Sequence, residues 1–332
     1  MKHSNISIFV PHIGCPHLCS FCDQRTISGA QHAPSGEEVR SICEKALGEV
    51  MSPENTEIAF FGGSFTAIPR EYMTELLDAA QDFIGEGKFR GIRISTRPDC
   101  IDIPVLNLLK NSGVTAIELG AQSMCDHVLE ANERGHSADD VADACQLIRA
   151  FGFELGLQMM VGLYRSAPAD EMETIEKIVD LSPDTLRIYP TVILENTRLG
   201  ELFKSGEYKP FSFEKAVEIS AAAMVMAESG GIRVIKCGLH ASEFVERDMI
   251  GGFYHPAFRE LCEGLIYRHN MELAISSCGA ERSRYIFAVS ANCISKALGH
   301  KKANAEYFRS RGIDIKILED ETIPKYQIDV IE

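Results

Sequence analysis

Six successive strand-and-helix patterns, polar and glycine-rich residues gathered just past the strand ends, and a length of 332 residues predict an α/β protein. The expected architecture is a partial (β/α)6 TIM-like barrel with a small C-terminal α/β appendage. A barrel takes roughly 200 to 250 residues, which leaves room for that appendage. Strand-helix alternation by itself is equally compatible with a doubly wound parallel sheet. Position decides for the barrel, because barrel strand ends open on one face, where barrels keep their active sites.

The elements follow in order. Ile6 to Pro11 reads as a short buried strand that delivers a cysteine-rich loop. Ser35 and Glu38 form a capping-box signature, and Val39, Ile42, Ala46, Leu47 and Val50 recur behind it at helical spacing. Glu57 to Phe61 is the second strand, ending at Gly62-Gly63-Ser64. Pro69 then opens a helix with Tyr72, Leu76, Leu77, Ala80 and Phe83 on one face. Gly91 to Ser95 reads as strand, Ile101 to Leu109 as helix and Val114 to Leu119 as strand. A helix capped by Ser137 carries Val141, Ala144, Ile148 and Phe151 inward. Glu154 to Val161 is the fifth strand, Pro168 to Val179 a helix, and Thr185 to Tyr189 the sixth strand. A long helix over Phe211 to Glu228 leads to a strand at Ile232 to Lys236. Gly251-Gly252-Phe253 reads as a break, which assigns residues 1–250 to the barrel and 251–332 to the appendage. The appendage carries strand patterns at Arg284 to Val289 and Ile313 to Leu318, with a helical stretch from Ala291 to Arg309 between them.

Composition narrows the class. With 45% hydrophobic and 24% charged residues the chain is an ordinary globular protein. No apolar run reaches the ~18 residues that span a bilayer, and the first residues lack a secretory apolar segment, so a cytoplasmic protein without a membrane partner is expected. Eleven cysteines are an odd set for a disulfide framework, and eight of them sit singly in helix or strand patterns, which fits a reducing compartment. A net charge of −15 argues against a surface generally coated by nucleic acid, while leaving room for a local basic patch.

Chemistry concentrates in Gly14-Cys15-Pro16-His17-Leu18-Cys19-Ser20-Phe21-Cys22, where three cysteines are spaced C-x3-C-x2-C. A four-cysteine zinc site needs another soft ligand nearby, and the next cysteine, Cys43, lies inside a helical pattern. Three thiolates can instead hold three irons of a [4Fe-4S] cluster and leave the fourth open to a ligand that is not protein. Three unrelated thiols in one loop are the alternative. Gly14 and Pro16 suit a loop that wraps a bulky group, and Phe21 could shield one side of it from water.

The triplet, with an aromatic residue before its last cysteine, resembles the signature of the radical S-adenosylmethionine (SAM) superfamily. The resemblance implies a partial barrel of that superfamily's type, with Cys15, Cys19 and Cys22 as cluster ligands and SAM on the open iron. It also implies the chemistry: an electron cleaves SAM to methionine and a 5′-deoxyadenosyl radical, which abstracts a hydrogen from the substrate. An electron donor of the flavodoxin or ferredoxin type goes with it.

Gly62-Gly63 after a strand is either a tight turn or a close approach to a ligand. The resemblance implies that this pair binds the amino group of SAM. Ser64 belongs to the same turn and departs from the acidic or Thr-Pro continuation common there. Gln122 and Gln158 are amides at apolar strand ends, either satisfied by neighbouring backbone or aimed at a polar ligand. The resemblance implies contacts to the methionine carboxylate and the ribose. Ser95 stands where an acidic ribose- or SAM-binding residue is common. Arg134 matches an arginine that pairs with the SAM carboxylate, with a surface ion pair as the alternative.

Further motifs are similar to the radical SAM half of the Elongator catalytic subunit, which modifies the wobble uridine of transfer RNA. They are Ser95-Thr96-Arg97-Pro98-Asp99, Glu118-Leu119-Gly120-Ala121-Gln122-Ser123, Asn132-Glu133-Arg134-Gly135-His136, Ile188-Tyr189-Pro190-Thr191 and Leu199-Gly200-Glu201-Leu202. The likeness runs from about Cys15 to Gly238. The x3 spacing between Cys15 and Cys19 is shorter than that subunit's, its basic N-terminal extension is not expected, and too few residues follow Gly252 for its acetyltransferase domain. An acetyl-CoA-dependent reaction is therefore not expected.

RNA modification is the reading these motifs imply. A stretch between Glu281 and Arg311 supports it: Arg282, Arg284, Lys296, Lys301, Lys302, Arg309 and Arg311 stand there with Tyr285, Phe287, Tyr307 and Phe308 interleaved. A basic, aromatic-bearing patch could hold RNA, whereas a solvated helix face is the alternative. Cys262, Cys278 and Cys293 are spaced too widely for a second cluster, and Lys236 and His240 could line the barrel mouth. Two other readings stand beside it. One is a radical enzyme acting on a small molecule such as a tetrapyrrole, as in oxygen-independent coproporphyrinogen oxidase; the other is a non-enzymatic iron–sulfur sensor.

Overall fold

The strands of the main sheet lie side by side in the order in which the chain makes them. The structure, a computed structural model, describes residues 4–11, 15, 18–23, 26–27, 29, 32–239, 242–279 and 282–331. Strands β1 (Ser4–Val10), β2 (Thr56–Gly62), β3 (Gly91–Thr96), β4 (Val114–Gln122), β5 (Glu154–Val161) and β6 (Thr185–Pro190) pair successively, all parallel. After the short β7 (Val192–Leu194), strand β8 (Arg233–Cys237) joins the free edge of β6, again parallel. A doubly wound sheet reverses strand order at a switch point. The monotonic order here is that of a partial barrel, as the sequence predicts, and it puts all the strand C-termini at one rim.

Local sequence explains the helices that cover the sheet. Ser35 and Glu38 close the expected capping box on helix Gly36–Glu49, with the Ser35 N–H donating to Glu38 at 2.8 Å. Ser137 and Asp140 do the same for Ala138–Ala150. Pro168 supplies the first turn of Pro168–Leu181, where its missing N–H costs nothing.

Beyond Thr191, β9 (Met249–Gly252) pairs antiparallel with β7, and Phe253 is buried immediately after it. Two expectations there are corrected. A twenty-residue helix, Phe258–Ser277, follows where the sequence reading has no element. Its buried face of Phe258, Cys262, Ile266, Tyr267 and Met271 is blurred in sequence by Leu261, Leu265 and Leu273, which lie partly or fully outside it. The helical stretch 291–309 is broken between Ile294–Leu298 and Ala303–Arg309, where Lys301 and Lys302 both take left-handed φ values of 52° and 63°.

The appendage is a three-stranded sheet in which β10 (Arg284–Val289) lies between parallel β11 (Asp314–Glu319) and antiparallel β12 (Ile328–Val330). Its core is continuous with that of the barrel. The interleaved aromatics belong to this packing: Tyr285, Phe287 and Phe308 are at most 1% exposed, so they offer no faces to nucleobases. Tyr307 is half-buried, donates to Glu272 and lies under the Arg311 guanidinium. Arg284 faces Asp314 and Lys296 faces Glu263, while Lys301, Lys302 and Arg309 stand exposed. All eleven cysteines are free thiols. Among the described residues no helix is long and apolar enough to cross a membrane.

Candidate active site

β1 ends at Val10, five residues before Cys15, and residues at or near the ends of β2 to β5 meet the three cysteines. One cavity of about 110 Å³ is lined by Cys15, Cys19, Cys22, Phe21, Gly62, Gly63, Ser64, Ser95, Gln122, Arg134 and Gln158. Every residue that the sequence assigns to the cluster or to SAM thus faces a single space, joined there by Leu18, Thr96, Arg97 and Gly120. A second cavity of about 480 Å³ adjoins it, sharing Phe21, Cys22, Gly62, Ser95, Gln122 and Gln158.

The glycine pair is fixed by close backbone packing. Gly62 has φ 119°, and a Cβ there would lie 2.7 Å from the Val10 carbonyl oxygen, so no side chain fits. Gly63 donates its N–H to the same carbonyl at 2.9 Å. Ser64 is engaged by side chain as well as backbone: its hydroxyl pairs with that of Thr96 at 2.8 Å and accepts the Arg97 N–H at 3.3 Å. Burial pushes the Cys15 thiol up, opposed by a hydrogen bond from the Ser64 backbone and by the charges of Arg97 and Arg134.

Arg134 is no surface ion pair. It is 6% exposed, donates from Nη1 to Cys19 Sγ at 3.0 Å and from Nη2 to the Gly120 carbonyl at 2.6 Å, and its Nε is buried without a partner. Its guanidinium stands 6.0 Å from the Phe21 ring centroid. Gly120 leaves room for this, because a Cβ would lie 2.9 Å from the Gln122 amide nitrogen. Gln122 is left-handed at φ 67°, and its Oε1 is buried without a hydrogen bond. Arg97 spends Nε and Nη2 on Asp99 and keeps a buried, unpartnered Nη1. Burial, helped by Arg134 and Arg97, lowers His136 to about 4, so this neighbour is neutral near pH 7.

Gln158 is held from the barrel interior. Its amide nitrogen donates to Ser95 at 3.2 Å and to Glu118 at 2.9 Å. Glu118 is fully buried and accepts a bidentate pair from Arg187 at 2.6 and 2.9 Å, with Arg93 at 3.3 Å. Burial pushes the Glu118 carboxyl up, but Arg187 and Arg93 outweigh it and hold the group below the usual carboxylate range. Arg93 also reaches Glu57 and Glu154. The sequence reading does not single out Arg93 or Arg187, and it names Arg97 only within the Ser95-Thr96-Arg97-Pro98-Asp99 motif. Charged residues inside otherwise apolar strands, as in Thr185-Leu186-Arg187-Ile188, are the signal that could find them.

Lys236 lines the larger cavity; His240 lies outside the described residues. The arrangement fits a cluster and SAM. Three thiols face a cavity whose buried Gln122 Oε1, Arg97 Nη1 and Arg134 Nε await polar partners. Among the described residues, side chains tight enough to share a single metal ion lie elsewhere, at Cys125, Asp170 and Glu173, whereas thiols spread around a cavity suit a polynuclear cluster.

Comparison with known proteins agrees with this geometry. The family model described as the Radical SAM superfamily matches residues 9–178, and that of the Radical_SAM C-terminal domain matches residues 183–268. The chain is similar to a tRNA uridine(34) acetyltransferase of Methanocaldococcus jannaschii, 32% identical over 53% of this chain and 37% of that protein. It is also similar to Elongator complex protein 3 of Homo sapiens, 30% identical over 55% of this chain and 37% of that one. It thus spans less than two fifths of the length of either relative. The structure of archaeal Methanocaldococcus infernus Elp3 with an N-terminal deletion shares the fold, with a TM-score of 0.57 and 22% identity over 74% of this chain and 61% of that one. Because that superfamily's model matches residues 9–178, just over half of the chain, the chain belongs to the radical SAM superfamily, whose enzymes use a [4Fe-4S] cluster and S-adenosylmethionine.

Proposed function

We propose that the chain is a radical SAM enzyme of transfer-RNA modification. The observation that carries the reading is the single cavity in which the three cysteines meet Gly62, Gly63, Gln122, Arg134 and Gln158. The similarity to proteins named for tRNA uridine(34) supports the substrate. In this reading Cys15, Cys19 and Cys22 hold three irons, and Phe21 covers one side against water. The backbone of Gly62, Gly63 and Ser64 receives the SAM ammonium, and Arg134 with Gln122 receives its carboxylate. Gln158 and Ser95 orient the ribose, Gln158 being fixed in turn by Glu118. When bound, the cluster and SAM supply a 5′-deoxyadenosyl radical. The chain's own part is to aim C5′ of the nucleoside into the larger cavity and to keep water out.

Residues 1–250 form the radical core in this account. Residues 251–332 bear on substrate, with Lys301, Lys302 and Arg309 as exposed cations, and a flavodoxin- or ferredoxin-type protein supplies the electron. Bulk transfer RNA retained at low salt tests the substrate. Lys301→Glu/Lys302→Glu is expected to weaken retention for all sequences and to lower the salt slope by roughly two. No retention of transfer RNA at any salt overturns the RNA reading. A small molecule such as a tetrapyrrole is the second reading. It is favoured by the net charge of −15 and by the burial of Tyr285, Phe287 and Phe308.

A further inference from the structure

The larger cavity holds a cation that the protein does not neutralise. The neighbouring arginines on the barrel strands are paired: Arg93 contacts Glu57, Glu118 and Glu154, and Arg187 contacts Glu118. Lys236, in register beside Arg187 on the neighbouring strand, lines the cavity half-buried. Among the described residues no carboxylate lies within ion-pair distance of its ammonium. Burial and the Arg187 charge both disfavour its charged form. A desolvated ammonium next to a guanidinium is unfavourable until an anion joins it.

Position says whose anion this is. Lys236 lines the larger cavity and not the smaller one, where Arg134 and Arg97 already offer unpartnered guanidinium nitrogens. The larger cavity nevertheless meets the cysteine loop at Phe21 and Cys22, and it carries an aromatic wall of Phe9 and Phe61, with ring centroids 6.4 Å apart. The two cavities share Gly62, Ser95, Gln122 and Gln158, so a group held at Lys236 sits next to the reacting centre, whereas Arg134 and Arg97 line the smaller cavity alone.

We infer that the larger cavity is a substrate pocket in which the ammonium of Lys236 binds an oxyanion, a carboxylate or a phosphate, beside the Phe9–Phe61 wall. The inference rests on the radical reading for the place of the reacting atoms, and not on transfer RNA as the substrate.

The test uses the full chain with its cluster reconstituted anaerobically and its lysines reductively methylated with carbon-13. The resonance missing from Lys236→Arg identifies Lys236. Its titration is followed by NMR with SAM, sodium acetate, inorganic phosphate and bulk transfer RNA in turn, and retention of the RNA is measured separately. Acetate or phosphate is expected to raise the Lys236 titration by about one pH unit or more, with SAM leaving it in place. A matching rise with transfer RNA assigns the oxyanion to a phosphodiester. A rise with acetate, while retained transfer RNA leaves Lys236 unmoved, assigns it to a small carboxylate. Failure of retention defeats the RNA reading alone, since acetate and phosphate still test the pocket. A rise with SAM as large as with the anions, or no rise with any probe, overturns the inference. Lys236→Met removes an unpaired cation, so it is expected to fold and to bind SAM as the wild type does.

Discussion

Nη1 of Arg134 donates to Sγ of Cys19 at 3.0 Å, which ties the segment after the short helix Asp126–Ala131 to the cysteine loop. The same guanidinium holds the Gly120 carbonyl and keeps Nε unpartnered. Arg134→Met strips Cys19 of a donor and leaves a buried carbonyl unpaired, at a cost of about 1–3 kcal/mol seen as a lower urea midpoint. The three cysteines remain, so the cluster still assembles, but its reduction potential falls with the loss of a hydrogen bond to sulfur. SAM affinity falls roughly tenfold or more, as expected for a lost charge-assisted contact. Arg134→Lys recovers only part of this, because an ammonium cannot reproduce the two-pronged geometry. Unchanged potential and SAM affinity in Arg134→Met contradict the assignment.

Glu118 is the hinge of the interior charges, taking Arg187, Arg93 and the Gln158 amide together. Glu118→Gln leaves Arg187 without its carboxylate and Arg93 with one fewer, and is expected to destabilise by about 3–5 kcal/mol. The sign of its pH dependence follows from a folded pKa below the ordinary 4.5. The contribution is complete above that value and is lost as pH falls through the folded one. Urea unfolding of wild type and variant from pH 7 downward is therefore expected to converge only below about pH 4.5.

Glu171 behaves oppositely. It is 3% exposed, its Oε1 accepts the Gly162 N–H at 2.7 Å and the Ser166 hydroxyl at 2.8 Å, and burial raises it to about 7 against an ordinary 4.5. Between those values the folded chain holds a proton that the unfolded chain has released, so stability falls as pH rises from 4.5 to 7, by about 3 kcal/mol in all. Glu171→Gln keeps the accepting oxygen and removes the slope. A difference between wild type and variant that stays constant across this window contradicts the account.

The parts of the fold and site legible in the sequence were those written in short-range spacing. Cys15, Cys19 and Cys22 lie within eight residues, Gly62-Gly63 ends an apolar strand, and Gln122 and Gln158 interrupt apolar runs, so each announces itself locally. That all of them face one cavity depends on parallel register across five strands, which the barrel expectation supplied. Arg134 could not be placed that way. Its partners, Cys19 and Gly120, are 115 and 14 residues distant, and a loop position carries no burial signal. The pairing of Lys236 with Arg187 likewise comes only from strand register. Helix Phe258–Ser277 was illegible because it packs on two sides, which erases the contrast between an apolar and a polar face. Tyr285 and Phe287 read as a binding surface because alternation along a strand does not tell which face is covered.

The most direct measurement is 5′-deoxyadenosine formation. Wild type and Cys19→Ala are reconstituted anaerobically, given SAM and dithionite, and assayed for the nucleoside alongside their iron and sulfide content. The account predicts 5′-deoxyadenosine from the wild type and none from Cys19→Ala. A wild type that holds a full cluster and still forms no 5′-deoxyadenosine contradicts it.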